Sequence, residues 1–476
     1  MSIHFSTITE IATLLKNKKI TPQEILTETK ALADRYNPSL NAIIEYYDEQ
    51  KGVGERSKGI LQAIPFLIKD NFLYEKKIIT AGSKILSGVV SPYTGTVLGR
   101  LLAEGALCVG RANCDEFAMG SSGETSHYGP TKNPWDATCV PGGSSSGSAA
   151  AVAAGIVPFA LGTETGGSVR QPAALCGLTG LKTTYGLHSR YGIVAYASSL
   201  DQAGIFTHTA EDAAHVLSIT AGHDPFDSTT VKRAVGYDYT KNLNTSIKGK
   251  KIGIIKNAFF QEGIDSEVRK NLSAAIAVFE SLGAICTEIE IDTMKYSAAL
   301  YFIISRAEAA SNLARFDGVK YGYRTKDYQD LNSMYAKTRS HGFGYMVKRR
   351  IILGNYVLTS EHADQYYKKA KQIQQMMKEE FNRAFVSCDM LFSPVTPEPA
   401  FKIGEMINNP LAIDLQDYFT ASANLVGIPA LALQSGFVRG LPIGFQLLAD
   451  EFQEELLLIA GYQYQQATDW HKNHPK

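Results

Sequence analysis

The chain has 476 residues, 45% hydrophobic and 20% charged, and its 47 basic side chains balance 47 acidic ones. That composition excludes intrinsic disorder, a collagen-like repeat and a disulfide-built mini-protein. Zero net charge argues against a broad basic surface for nucleic acid, and a length prior of roughly 150 residues per domain suggests about three domains. The six cysteines (Cys108, Cys114, Cys139, Cys176, Cys286, Cys388) are scattered, with no C-x-x-C pair and no zinc-like spacing. They read as reduced thiols of a cytosolic protein, with no metal site expected. Met1 to Lys19 lacks the basic-then-apolar order of a signal peptide. The uncharged run preceding Glu164 is rich in Gly, Ser and Pro and offers no membrane span.

In chain order, the first sixty residues read as helical. Thr21-Pro22-Gln23-Glu24 is a capping box with Pro at the first helical position, and Pro38 is expected to end that helix. Ile64 to Ile68 is a short apolar run consistent with a buried strand, with Lys69 at its end. Thr96 to Glu104 reads as a helix, Ala106 to Gly110 as a strand, Ser148 to Gly155 as a helix and Ile156 to Leu161 as a strand. A second alternation follows: strand at Lys251 to Lys256, helix at Ser266 to Leu282, strand at Ala284 to Ile291. Met376 to Phe385 is helical, a hairpin is expected around Gly440, and a last helix near Glu454 to Gln466. Repeated strand–helix–strand units predict an α/β fold, a mostly parallel mixed sheet with helices on both faces. With no linker or repeat in view, the chain reads as one domain, residues 1–60 wrapping a core of 61–476.

Two Gly/Ser-rich loops stand out: Pro141 to Ser148, and Gly162 to Arg170. Neither has the lysine or the glycine spacing of a phosphate loop. Gly143-Ser144-Ser145-Ser146-Gly147 fits the G-x-S-x-G elbow with Ser145 central, but a poor strand precedes it, and His341, His362 and His471 are undistinguished downstream partners. Tight turns alone are another reading. Two such loops, each followed by a run without breakers, also suit a nest of backbone N–H donors of the kind an oxyanion hole requires. A serine beside it would be a nucleophile if a base removed its proton. No histidine lies in either loop. Lys69 either extends its charge to solvent or, buried beside the loops, acts as that base in its neutral form.

At these residues the chain resembles the amidase signature family and, within it, the A subunits of tRNA-dependent amidotransferases. Gly142 to Gly147 with Gly162 to Arg170 matches the signature, and Lys69, Ser144 and Ser168 fall at its intervals. Asn113 to Ser122, Tyr185 to Gly192, Ala197 to Gln202, Ser311 to Gly318 and Lys348 to Ile351 extend the likeness along the chain. The resemblance implies that Ser168 attacks glutamine's carboxamide, that Ser144 in a cis peptide relays the proton, and that Lys69 is the base. It implies an oxyanion hole at Thr165, Gly166, Gly167 and Ser168, and Arg350 and Asp417 on the substrate's α-carboxylate and α-amine. For Arg350 and Asp417, plain surface charge is the competing reading.

The implied partners are B and C subunits, with ATP and Mg on the partner and tRNA reached only through the B subunit. The alternatives are a stand-alone amidase and a catalytically silent scaffold. Ser146 departs from a common glycine, Glu164 from the usual Asp, and Thr183 from a proline.

Overall fold

The computed structural model describes residues 2–47, 59–233 and 235–476. One 11-stranded sheet runs through the molecule. In chain order its strands are β1 (Ile43–Tyr46), β2 (Pro65–Lys69), β3 (Leu107–Ala112), β4 (Phe159–Glu164), β5 (Thr179–Lys182), β6 (Gln202–Thr207), β7 (Lys251–Ile255), β8 (Ile285–Ile289), β9 (Met390–Pro394), β10 (Ala430–Val438) and β11 (Leu441–Ala449). Across the sheet they lie in the order β1-β3-β2-β4-β6-β5-β10-β11-β9-β7-β8.

The single mixed sheet agrees with the sequence reading, but its parallel majority does not. The parallel contacts are β3–β2, β2–β4, β9–β7 and β7–β8. The other six pairings are antiparallel. Parallel neighbours need a crossover, and the strand–helix–strand units recognised in the sequence supply it in two blocks only. The middle of the sheet is antiparallel and includes the β10–β11 hairpin, whose two-residue turn at Arg439 (φ 51°) and Gly440 (φ 78°) is left-handed at both positions.

Both faces are covered, as the period of two in a strand makes visible. Phe66 and Ile68 of β2 and Phe159 and Leu161 of β4 belong to one apolar cluster, which also takes in Ile8 and Ile11 of the helix Ile8–Lys16. Leu67 and Ala160 point to the other, with Leu32 and Ala33 of the helix Pro22–Leu40 and the alanines of the helix Ser146–Ala153.

The N-terminal segment corrects the sequence reading twice. Thr21 does cap its helix, accepting from Glu24 N while Glu24 reaches back. Pro38 does not end it: the helix runs to Leu40 and stops at Asn41, whose φ is 51°. Proline in the last turn forfeits one helical bond, and the left-handed residue after Leu40 is what terminates the helix. The region is not all helical either, since β1 adds an antiparallel edge strand along β3. Part of that reading, residues 48–58, lies outside the described residues.

Candidate active site

β2 is buried from end to end and delivers Lys69, fully buried, beneath the first Gly/Ser loop. Its Nζ donates to Ser144 Oγ at 2.7 Å, to Ser145 Oγ at 3.0 Å and to the Thr163 carbonyl at 3.3 Å. Burial pushes the amine down from its ordinary 10.5 to about 8, although Cys114, Asp115, Asp201 and Glu164 pull the other way. A lysine so placed is readily neutral, and neutral amines accept protons. The solvent-directed reading of Lys69 is therefore wrong.

The loop above it is held by close approach. The Gly143–Ser144 peptide is cis. A Cβ on Gly143 would come within 2.1 Å of Asp115 Oδ2, so only glycine fits there. Asp115 N donates to the Ser144 carbonyl at 3.1 Å, and Gly143 N to Gln171 Oε1 at 2.9 Å. Ser145 does not behave as a nucleophile elbow: its hydroxyl bonds to Lys69 and to Thr163 O at 3.0 Å, and no histidine is among its partners. Ser146 spends its hydroxyl on Thr131 Oγ1 at 3.1 Å.

The second loop leaves β4 at Glu164. That carboxylate accepts from the backbone N–H groups of Val169 and Arg170, each at 3.0 Å, and from Arg170 Nε at 2.9 Å. Burial alone would raise its pKa, but the Arg170 charge and its hydrogen bonds prevail and hold it below the usual value. Glu164 thus closes the loop as a buried ion pair, whose guanidinium also reaches Thr420 O and Asn424 Oδ1, both at 2.7 Å. Inside the closure, the N–H groups of Thr165, Gly166, Gly167 and Ser168 donate no hydrogen bond among the described residues. Ser145 N joins the two loops by donating to Ser168 O at 3.3 Å. The Ser168 hydroxyl itself makes no hydrogen bond among the described residues, so the chain from Lys69 stops at Ser144.

Arg350 and Asp417 are not surface charges; they are 1% and 3% exposed. Arg350, on the helix Tyr345–Leu358, donates from Nη1 to Tyr196 Oη at 2.8 Å. Asp417 Oδ2 accepts from Ser121 Oγ at 3.0 Å, and its Oδ1 lies 3.0 Å from where a Cβ on Gly167 would sit. Tyr301 packs against Gly166, and its phenol is pushed well up by burial, then by Tyr196 and Asp417, against the pull of Arg350 and Arg306. The structure thus brings Lys69, Ser144, the Thr165–Ser168 loop and Asp417 together, with Arg350 joined through Tyr196.

Sequence reading missed Tyr196, Tyr301, Ser121 and Glu116. Tyr196 directly precedes a segment the resemblance covers, which was its only signal. Glu116 accepts from Gly344 N at 2.8 Å and so anchors the start of the Arg350 helix. Thr183, the third departure, offers its carbonyl to Lys182 Nζ at 2.8 Å, a contact proline would also allow. The six cysteines form no disulfide. Among the described residues no helix is long and apolar enough to cross a membrane.

The family model described as Amidase matches residues 22–458. The A subunit of the glutamyl-tRNA(Gln) amidotransferase of Alkalilimnicola ehrlichii is 46% identical over 483 residues, covering 100% of this chain and 99% of that one. The crystal structure of the corresponding A subunit from Thermotoga maritima, also of a glutamyl-tRNA(Gln) amidotransferase, superposes with a TM-score of 0.82 at 38% identity, over 96% of this chain and 94% of that one. A peptide amidase of Stenotrophomonas maltophilia gives 0.82 at 28% identity, over 97% of each chain.

Proposed function

Because the chain belongs to the amidase family, we propose that it is the glutamine-hydrolysing subunit of a tRNA-dependent amidotransferase, built on a Ser–cis-Ser–Lys triad. The observation that carries this reading is a fully buried Lys69 whose amine lies 2.7 Å from Ser144 Oγ, beside four backbone N–H groups that have no acceptor among the described residues. Full-length likeness to the A subunits of amidotransferases supports glutamine as the amide.

In this mechanism Ser168 Oγ attacks the side-chain carboxamide carbon while its proton passes to Ser144, and the Ser144 proton to neutral Lys69. The Ser144–Ser168 step is not hydrogen-bonded here; in enzymes such contacts commonly tighten when substrate binds. The N–H groups of Thr165, Gly166, Gly167 and Ser168 stabilise the oxyanion. Collapse breaks the C–N bond, the relay returns a proton to the leaving nitrogen, and ammonia departs. Water then takes the place of Ser168 in a second round and releases glutamate. Arg350 pairs with the α-carboxylate of glutamine, a geometry suited to a guanidinium, and Asp417 with its α-amine.

Residues 1–60 and 61–476 act as one domain in this reading, in the cytoplasm. B and C subunits complete the assembly; the B subunit supplies the ATP and Mg chemistry and the tRNA contact.

Reconstitution tests the proposal: ammonia release from glutamine by this chain alone, then with the B and C subunits of the same cell, ATP, Mg and Glu-tRNA(Gln) or Asp-tRNA(Asn). The proposal predicts glutamine hydrolysis coupled to amidated tRNA. Hydrolysis of other small carboxamides without subunit binding would make the chain a stand-alone amidase. Subunit binding with no hydrolysis would make it a silent scaffold.

A further inference from the structure

The Asp201 carboxylate stands between two parts of the site that must act on one substrate. It is 5% exposed, at the entry to β6. Oδ1 accepts from Thr165 Oγ1 at 2.7 Å, at the first residue of the oxyanion loop. Oδ2 accepts from Tyr196 N at 2.8 Å and Ala197 N at 3.0 Å. Tyr196 in turn presents its hydroxyl to Arg350 and its ring to the same guanidinium, 5.5 Å from the ring centroid. Its carbonyl is fixed by Asn312 Nδ2 at 3.2 Å. Hydrogen bonds to a carboxylate are shorter and stronger than neutral ones, so one group can hold three donors rigidly.

We propose that Asp201 is a positioning residue, whose two oxygens lock the Thr165 end of the oxyanion loop and the Tyr196 backbone in one register. Substrate carboxylate recognition at Arg350 and charge stabilisation at the reacting carbonyl are thereby held at a fixed separation. A substrate anchored at one end gains rate only if the other end meets its donors, and misplacement by about 1 Å costs about 100-fold. The proposal rests on the functional reading above and deepens it. Asp201 also braces the turn before β6, where its own N–H donates to Ala197 O at 2.9 Å, and its charge pulls the Lys69 amine upward. Bracing alone predicts lost stability with unchanged kinetics per folded molecule.

The test uses the full chain assembled with its partner subunits, measuring kcat and KM for glutamine and the melting temperature of each variant. Asp201→Ala is expected to lower kcat at least about tenfold and to raise KM by several-fold, since both ends lose register. Thr165→Val, which removes one contact only, is expected to lower kcat with a smaller change in KM. Combined with Asp201→Ala it adds less than a twofold further loss, because the lock is already open. Asp201→Asn keeps an acceptor for Tyr196 and Ala197 and can donate to Thr165 Oγ1, so it restores most of the activity. The proposal is overturned if Asp201→Ala changes the melting temperature alone, or if the two single losses multiply. Should Asp201→Ala not fold, Thr165→Val and Asp201→Asn decide: Asn keeps the lock, so Thr165→Val is expected to lower kcat about as much in the Asp201→Asn background as in the wild type, and an unchanged kcat in Thr165→Val overturns the proposal. Wild-type enzyme without glutamine hydrolysis would instead contradict the functional reading.

Discussion

Two lysines end two strands of the same sheet, Lys69 on β2 and Lys182 on β5, and both are fully buried. Burial pushes both amines down, Lys69 to about 8, and Lys182 to about 7 with the Arg170 charge adding to the effect and Glu164 and Glu454 opposing it. By titration alone Lys182 is the amine that turns neutral at the lower pH. Their partners differ: Lys69 donates to two serine hydroxyls, Lys182 to the Thr183 carbonyl and to Gln202 Oε1 at 3.2 Å. Hydroxyls can pass a proton onward, whereas a backbone carbonyl and a side-chain amide oxygen only accept one. Depressed lysine pKa values therefore mark burial, and what lies against the amine marks chemistry.

The comparison is sharpest if the nucleophile is removed first. Ser168→Ala is expected to lower glutamine hydrolysis by about 10⁴- to 10⁶-fold, read as initial rates of ammonia release. Lys69→Met should cost about 10²- to 10⁴-fold in kcat, the usual share of a general base. Arg350→Lys keeps charge but loses the planar fork, so KM for glutamine should rise about 10- to 100-fold, with kcat falling less. Lys182→Met should keep kcat per folded molecule within a few-fold, because the Lys182 amine bonds only the Thr183 carbonyl and Gln202 Oε1 among the described residues and touches no reacting group. A loss at Lys182 as large as at Lys69 would erase the distinction.

pH separates the two lysines again. Rate should rise with pH as Lys69 loses its proton near 8. The two amines' contribution to stability should rise with pH as well. Each folded lysine titrates below its ordinary 10.5, so the unfolded chain binds more protons from about 8 upward for Lys69 and from about 7 upward for Lys182. Below those values both states are protonated, and the penalty for burying the charge is at its fullest. Chemical denaturation across pH 7 to 10.5 should show a shallower rise for Lys182→Met, while its rate profile keeps the wild-type midpoint.

Much of this was legible in the sequence where local signals agree with the fold. The β2 run, the helix Ser266–Ser281 with Val268, Leu272, Ile276 and Phe279 buried, and the Gly440 hairpin all carry their own period or turn residues. The antiparallel middle of the sheet was not legible, because β5 and β6 are fully buried runs with no alternation to mark them. Lys69, Ser144 and the Thr165–Ser168 loop could be named because they fall at the intervals of the signature the chain resembles. Tyr301 carried no signal, Tyr196 only borders the Ala197–Gln202 likeness, and Asp201 lies within it with no role attached, since all three reach the site through tertiary contacts. Glu164, the departure from the usual Asp, closes the oxyanion loop by accepting from Val169 N and Arg170 N while pairing with Arg170.

The central claim is that Ser168, served by Lys69 through Ser144, takes up the glutamine carbonyl. Rapid mixing with glutamine, acid quenching before the first turnover ends, and mass analysis of the digested peptides tests it directly. The account predicts a γ-glutamyl ester on the peptide that contains Ser168, absent in Ser168→Ala. An ester on the peptide carrying Ser144 and Ser145, or one that persists in Ser168→Ala, would contradict it.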